Sequence, residues 1–277
     1  MRFKGKIMKY VTVQVENGIA QVRLNRPDKL NALTLDTLHE LIAVARRLRR
    51  DRTLRAVVIA GEGDSFSSGL DIVATMRKPA RIVRAFLPNP FLGTNTFQEA
   101  CWAWRRIEVP VIAAIHGHCY GGGIQIALAA DFRYATPDSK WSVLEAKWGI
   151  IPDMTGIRSL TEVVGVDVAK KLTMTADRID GTEAQRLGLV TELSDDPVKA
   201  ATAFAESLLT RSPDALAAAK RLIDGALTSS ARRTFGRERR EQIRLLALPN
   251  TGILRRAVVK KSEPEFRPRA RKMRPWH

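Results

Sequence analysis

No apolar run in this 277-residue chain reaches the roughly 18 to 20 residues that a membrane-crossing helix needs, so no membrane insertion is expected. Cysteine is scarce. Cys101 and Cys119 make no framework of spaced pairs, which argues against a disulfide-held secreted domain and for a reducing compartment. The basic start Met1-Arg2-Phe3-Lys4-Gly5-Lys6 is not followed by a continuous apolar stretch, so no secretory signal is read there and the cytoplasm is the expected location. Aromatic residues make up only 6% of the chain and are not interleaved with the basic runs, which leaves little for stacking on nucleic-acid bases. Acids are outnumbered, 29 against 46 Lys and Arg, and the stretch from Arg232 to His277 alone carries 15 bases and four acids. Such an excess suits either a polyanionic partner or a solvated basic surface, and charge by itself does not choose.

What is present is enough apolar residue, 45%, to bury a large core in one compact unit or two small ones. Lys9 to Val15 and Ile19 to Asn25 read as a hairpin around Glu16-Asn17-Gly18. Thr34-Leu35-Asp36 opens an amphipathic helix with Leu38, Leu41, Ile42, Ala45 and Leu48 on one side. Strands are expected at Ala56–Ala60, Val111–Ile115, Phe132–Ala135 and Lys140–Val143, with helices from Thr96 to Ile107 and from Gly122 to Ala130. Lys78 to Thr94, rich in Pro and Arg, reads as a mobile loop near the site. After about Asp196 the pattern is helical over Val198–Leu209, Pro213–Leu227, Ala231–Leu248 and Thr251–Lys260. The division is therefore a core over residues 1–196 and a helical region with a basic tail over 197–277. From Pro264 the tail has little to bury and is expected to be poorly ordered unless a neighbouring subunit holds it.

Two glycine-bearing segments carry the chemistry. Phe66-Ser67-Ser68-Gly69-Leu70-Asp71-Ile72 follows one buried strand, and Gly121-Gly122-Gly123 follows another. Each sits where a strand gives way to a helix-like stretch, so two backbone N–H groups can converge on one oxygen, the second reinforced by a helix N-terminus. Donors so arranged stabilise the enolate of a thioester. Taken singly, each segment is also accounted for by a tight turn.

The ordered series is more specific: Arg26-Pro27-Asp28-Lys29-Leu30-Asn31-Ala32-Leu33, Phe66 to Ile72, His116-Gly117-His118-Cys119-Tyr120 with the three glycines, Asp131 to Ala135, and Glu145-Ala146-Lys147-Trp148-Gly149-Ile150-Ile151-Pro152. From about Tyr10 to Phe266 the chain resembles the crotonase (enoyl-CoA hydratase/isomerase) superfamily. That resemblance implies an α/β spiral of repeated ββα units, with a C-terminal helical region that packs subunits into trimers, often paired as hexamers. It implies an acyl-CoA substrate, no cofactor beyond the coenzyme A of that substrate, and an oxyanion hole made by the backbone N–H groups of Leu70 and Gly122. Lys29, Ala32 and the backbone of Ser68, Gly69, Leu70, Asp71 and Ile72 become candidate contacts to coenzyme A; Lys29 could equally be a solvated turn residue.

The acid–base groups select the reaction. Hydratases of this superfamily use two glutamates around one water, and the resemblance places Gln125 where the first would be and Glu145 at the second. A carboxamide can position a water but exchanges no proton near neutral pH. Asp153, eight residues past Glu145, matches the aspartate that dienoyl-CoA isomerases pair with that glutamate, although those isomerases carry a third acid at the place of Gln125. Asp153 could instead cap a helix from Ile157 to Val164. Double-bond isomerisation is therefore the expected reaction, with water addition to a 2-enoyl-CoA the alternative. The spacing of His116, His118 and Cys119 is too tight for a usual zinc set, and no metal is expected. A reading of another class rests on Arg46, Arg47, Arg49, Arg50, Arg52 and Arg55, which correspond to the lysine-rich helix of an RNA-binding crotonase homologue; nucleic acid is thus a possible, less favoured partner.

Overall fold

The computed structural model describes residues 2–3, 6–76 and 79–271. Met1, Lys4 and Gly5 of the basic start, Lys78 of the expected loop, and the last six residues of the basic tail lie outside the described residues. Two short strands, β1 (Arg2–Phe3) and β2 (Lys6–Ile7), pair with each other. The hairpin then forms as the sequence reads: β3 (Val11–Glu16) and β4 (Ile19–Leu24) run antiparallel about Asn17 and Gly18, both at positive φ. That is the left-handed pair of residues a tight hairpin turn requires.

The chain next winds through β5 (Ala56–Gly61), β6 (Val111–Ile115), β7 (His118–Tyr120), β8 (Phe132–Ala135), β9 (Lys140–Ser142), β10 (Ile179–Asp180) and β11 (Glu192–Leu193). A six-stranded sheet has the order β11-β8-β6-β5-β4-β3, parallel except at the hairpin, and β10-β9-β7 make a second sheet. Every residue of β5 and β6 is buried, which explains their unbroken apolar character: both faces are covered. The side chains alternate between two cores. Val57 and Ile59 join the larger one, whereas Ala56, Val58 and Ala60 join the smaller one on the opposite face.

Helices cover those faces. α1 (Leu35–Arg50) begins at a capping box made by Thr34 and Thr37, and it buries Leu38, Leu41, Ile42, Ala45 and Leu48 as its periodicity predicts. α2 (Ile72–Met76) and α3 (Pro79–Phe86) follow the first glycine segment. The helix α3 corrects the expected loop. Pro79 stands at the first helical position, where its missing N–H costs nothing; Arg81 pairs with Asp36 at 2.7 Å, and the Phe86 ring lies 4.9 Å from that of Phe97. α4 (Thr96–Arg105) starts at an Asn95 capping box and buries Phe97, Cys101 and Trp104. α5 (Gly122–Ala127), α6 (Gly156–Val163), α7 (Val166–Thr175) and α8 (Gly181–Arg186) complete the spiral. This α/β architecture is the spiral that the sequence implies.

Of the last four helices, α9 (Pro197–Ser207) lies on the smaller core through Ala201 and Ala205, with the Phe204 ring 4.9 Å from Phe132. α10 (Pro213–Ala226), α11 (Ala231–Ala247) and α12 (Pro249–Lys260) follow, and α11 buries none of its residues. The described part of the tail, up to Arg271, is held by its own chain rather than left loose, contrary to the expectation. Arg269 is 3% exposed and donates to the carbonyls of Leu54 and Asp51 and to Glu108; Asn250 grips Arg267, and Asp214 accepts from the N–H of Ala270. Three backbone carbonyls and two carboxylates so find partners that no local pattern announces.

Candidate active site

The first glycine segment is stitched on both sides. Asn31, buried, donates to the carbonyls of Glu62 and Ser65 and accepts from the N–H of Arg26, which pins the 26–33 turn against the exit of β5. Leu33 N–H donates to Gly69 O at 2.8 Å and Asp71 N–H to Leu33 O at 2.8 Å; on the other side, Ser67 N–H reaches His118 O and Tyr120 N–H reaches Ser67 O. Gly69 takes φ +94°, a conformation an L side chain resists, and a Cβ there would stand 2.8 Å from Tyr120 O. The outcome is that Leu70 N–H, unlike its neighbours, has no acceptor among the described residues, and neither does Gly122 N–H at the start of α5. The two are close: a methyl carbon placed on Gly122 would lie 3.7 Å from the Leu70 nitrogen. Two free amides next to each other, one at the first turn of α5, have the geometry that an oxyanion site requires.

Glu145 lies on a 3-10 turn, Leu144–Trp148, and is 7% exposed. Its Oε1 accepts from Gln125 Nε2 at 2.7 Å, while its Oε2 is buried without a partner among the described residues. Burial pushes the Glu145 carboxyl above its ordinary value and the nearby Asp153 carboxylate adds to this, against the opposing pull of its own N–H and the Gln125 hydrogen bond. Asp153 is half-buried and also raised, by burial. Both carboxyls act on the fully buried Cys101 of α4, whose thiol burial holds neutral, so α4 backs the site.

The alternative reading of Asp153 as a helix cap is corrected. Thr155 precedes α6, and Asp153 supplies no side-chain cap; Gln125 does, with Oε1 accepting from Met154 N–H and Gly156 N–H, each at 2.8 Å. Gln125 is 1% exposed and bonded at both ends. Nothing in the sequence announced that role, since its partners are backbone amides some thirty residues on.

Among the candidate coenzyme contacts, Lys29 is exposed at the end of the 3-10 turn Pro27–Lys29, and Ala32 and Ser68 are half-buried. Ser68 N–H donates to Leu30 O, and its hydroxyl to Lys29 O. This places the Lys29 carbonyl beside Ser68, two residues before the free Leu70 amide. The Asp71 carboxylate is committed elsewhere. It accepts from Ala74 N–H at 3.0 Å and pairs with Arg26 at 2.8 Å; burial raises its carboxyl, but those partners outweigh burial and hold it below the usual range, one residue before Ile72 opens α2. Arg26, which the sequence reading gave no role, thereby ties the two motif segments together.

His116 and His118 hold the turn after β5, the first through Gly63 O at 2.7 Å and the second through Ser65 Oγ at 2.9 Å. The arginine cluster is partly spent inside the chain: Arg46 pairs with Glu99, Arg52 donates to Arg269 O, and Arg55 donates to the carbonyls of Leu209 and Arg211. Among the described residues, no helix is long and apolar enough to cross a membrane.

Known proteins resemble this chain in sequence and fold. The family model described as enoyl-CoA hydratase/isomerase matches residues 14–247. A short-chain-enoyl-CoA hydratase of Clostridium acetobutylicum is 33% identical over 217 residues, 77% of this chain and 80% of that protein. A mitochondrial Delta(3,5)-Delta(2,4)-dienoyl-CoA isomerase of Mus musculus is 32% identical over 228 residues, 76% of this chain and 68% of that protein. Among solved structures, an enoyl-CoA hydratase from Polaromonas sp. JS666 superposes with a TM-score of 0.82 at 28% identity, covering 93% of this chain and 99% of that one. With its paired glycine turns, its buried glutamate and relatives of both reaction types, the chain belongs to the enoyl-CoA hydratase/isomerase family.

Proposed function

We propose that this family member moves a double bond along the acyl chain of an enoyl- or dienoyl-CoA. The observation that carries this reading is the state of Gln125: its oxygen takes two backbone N–H groups and its nitrogen goes to Glu145, so nothing at this position is free to activate a water. The remaining acids of the site are Glu145 and Asp153, both held toward their protonated forms by burial and electrostatically coupled. A thioester oxygen accepting from Leu70 N–H and Gly122 N–H gathers negative charge as Glu145 breaks a C–H bond. The electron pair enters the conjugated system as an extended enolate. A proton returned farther along by Glu145 itself restores the site, whereas one returned by protonated Asp153 leaves the proton from carbon on Glu145, to be passed back to Asp153 before the next turnover.

Two substitutions test it. Glu145→Gln should lower turnover by roughly 10²–10⁴-fold, the range of general acid–base catalysis. Asp153→Asn should do nearly the same on a 3,5-dienoyl-CoA. Full activity of Asp153→Asn would reassign the reaction to a one-glutamate shift between 3-enoyl- and 2-enoyl-CoA; full activity of Glu145→Gln would end the mechanism.

A further inference from the structure

We infer that Gln125 is the positioning residue of this site: its carboxamide fixes Glu145 through Oε1, leaves Oε2 as the oxygen that meets the substrate, and ties Glu145 to the segment that carries Asp153. The inference rests on Glu145 being the base. The orientation of the carboxamide follows from its partners. Met154 N–H and Gly156 N–H both point at one end and can only be met by the oxygen; the carboxylate of Glu145 stands at the other and can only be met by the NH₂. Reversed, the side chain would set donors against donors and oxygen against oxygen. One buried side chain therefore bridges the Glu145 turn and the entry to α6, and Asp153 immediately precedes that anchored pair of amides.

Among the described residues, the polar and titratable side chains that act on Glu145 are Gln125 from α5, Asp153 from before α6, and the buried neutral thiol of Cys101 from α4. Of these, only Gln125 favours the carboxylate form. Without its donor, only Glu145's own N–H opposes burial and Asp153, and on acidification Glu145 loses its base form already at a higher pH. The bridge also explains a glycine. A Cβ on Gly156 would stand 2.5 Å from Gln125 Oε1 and 2.7 Å from its Cδ, so any other residue there would push the carboxamide out of register.

The test is the pH dependence of kcat, on whichever CoA thioester the wild type isomerises, for Gln125→Met, Gln125→Glu and Gly156→Ala. Gln125→Met should move the acid limb to higher pH, with roughly tenfold or greater loss on the acid side and a smaller loss on the alkaline plateau, as expected when a hydrogen bond to a charged group is removed. Gln125→Glu keeps an acceptor for both amides but sets a second carboxyl 2.7 Å from Glu145, where both cannot ionise, so the same shift should be larger. Gly156→Ala should shift the limb in the same direction with Gln125 still present. These last two keep the inference testable if Gln125→Met fails to fold. A uniform loss with an unmoved limb in both would overturn it, leaving Gln125 a structural residue. Gain of water addition to a 2-enoyl-CoA in Gln125→Glu would also overturn it, by showing that position 125 handles substrate water directly. Glu145→Gln, run alongside, separates the two failures: if that variant remains active, it is the assignment of the base that falls.

Discussion

Replacing Gly122 by alanine is the most discriminating perturbation of the oxyanion site, because the added methyl does little to the fold and much to the space between the two amides. Gly122 sits at the start of α5, where alanine is a better helix former than glycine by about 0.5–1 kcal/mol. The new carbon would meet Leu33 Cδ1 and Met154 Sδ at 3.1 Å. Both are ends of flexible side chains that can give a few tenths of an ångström, at a cost comparable to the propensity gain. Net stability should therefore change by no more than about 1–2 kcal/mol. The same carbon lies 3.7 Å from the Leu70 nitrogen, so it crowds the approach of an oxygen to both amides. Loss of one such donor raises the barrier by about 3–4 kcal/mol, or 10²–10³-fold in kcat. Gly188→Ala is the control: with φ at +90° it should cost about 1–2 kcal/mol of stability and leave kcat alone. The readouts are turnover by ultraviolet absorbance and the thermal midpoint of each variant. A Gly122→Ala enzyme within threefold of wild-type kcat, with a normal melting curve, would refute the oxyanion assignment.

Three further outcomes are expected. Because the raised carboxyls of Glu145 and Asp153 favour the native state only when protonated, stability should fall as pH rises from their ordinary values of 4.5 and 3.8 through the raised ones. Glu145→Gln and Asp153→Asn should accordingly melt above the wild type at pH 8, with the gap closing near pH 4; a wild type more stable than both at pH 8 would contradict this. Arg269→Ala should lower the unfolding free energy by about 2–4 kcal/mol in urea titrations, since it strips partners from two carbonyls and from Glu108. Phe235, Ile243 and Leu246 of α11 and Val258 and Val259 of α12 are exposed, and sedimentation at micromolar concentration should show a trimer or a dimer of trimers rather than a stable monomer.

What could be read in the sequence was whatever is decided locally. Asn17-Gly18 announces its turn, and the unbroken apolar runs of β5 and β6 announce burial on two faces. The helical period of α1 shows which side chains enter the core. Pro79, Pro88 and Pro90 hid α3, because a proline at a first helical position and prolines in a following turn look alike without tertiary context. The tail misled for a similar reason: an arginine reads as solvated, and the carbonyls of Asp51 and Leu54 that bury Arg269 are more than 200 residues away. At the site, the motif series led to the adjacent Leu70 and Gly122 amides and to Glu145. The bonding of Gln125 stayed hidden, since backbone N–H groups carry no residue identity and only the fold brings those of Met154 and Gly156 to its oxygen.

In the proposed reaction Glu145 and Asp153 move a proton along the acyl chain without adding water. Its most direct test is an ultraviolet assay of the purified protein with 2-enoyl-, 3-enoyl- and 3,5-dienoyl-CoA in parallel. The 3,5-dienoyl-CoA should convert rapidly to the conjugated 2,4-isomer, with little loss of the 2-enoyl chromophore. Rapid hydration of the 2-enoyl-CoA, with the other two unchanged, would contradict it.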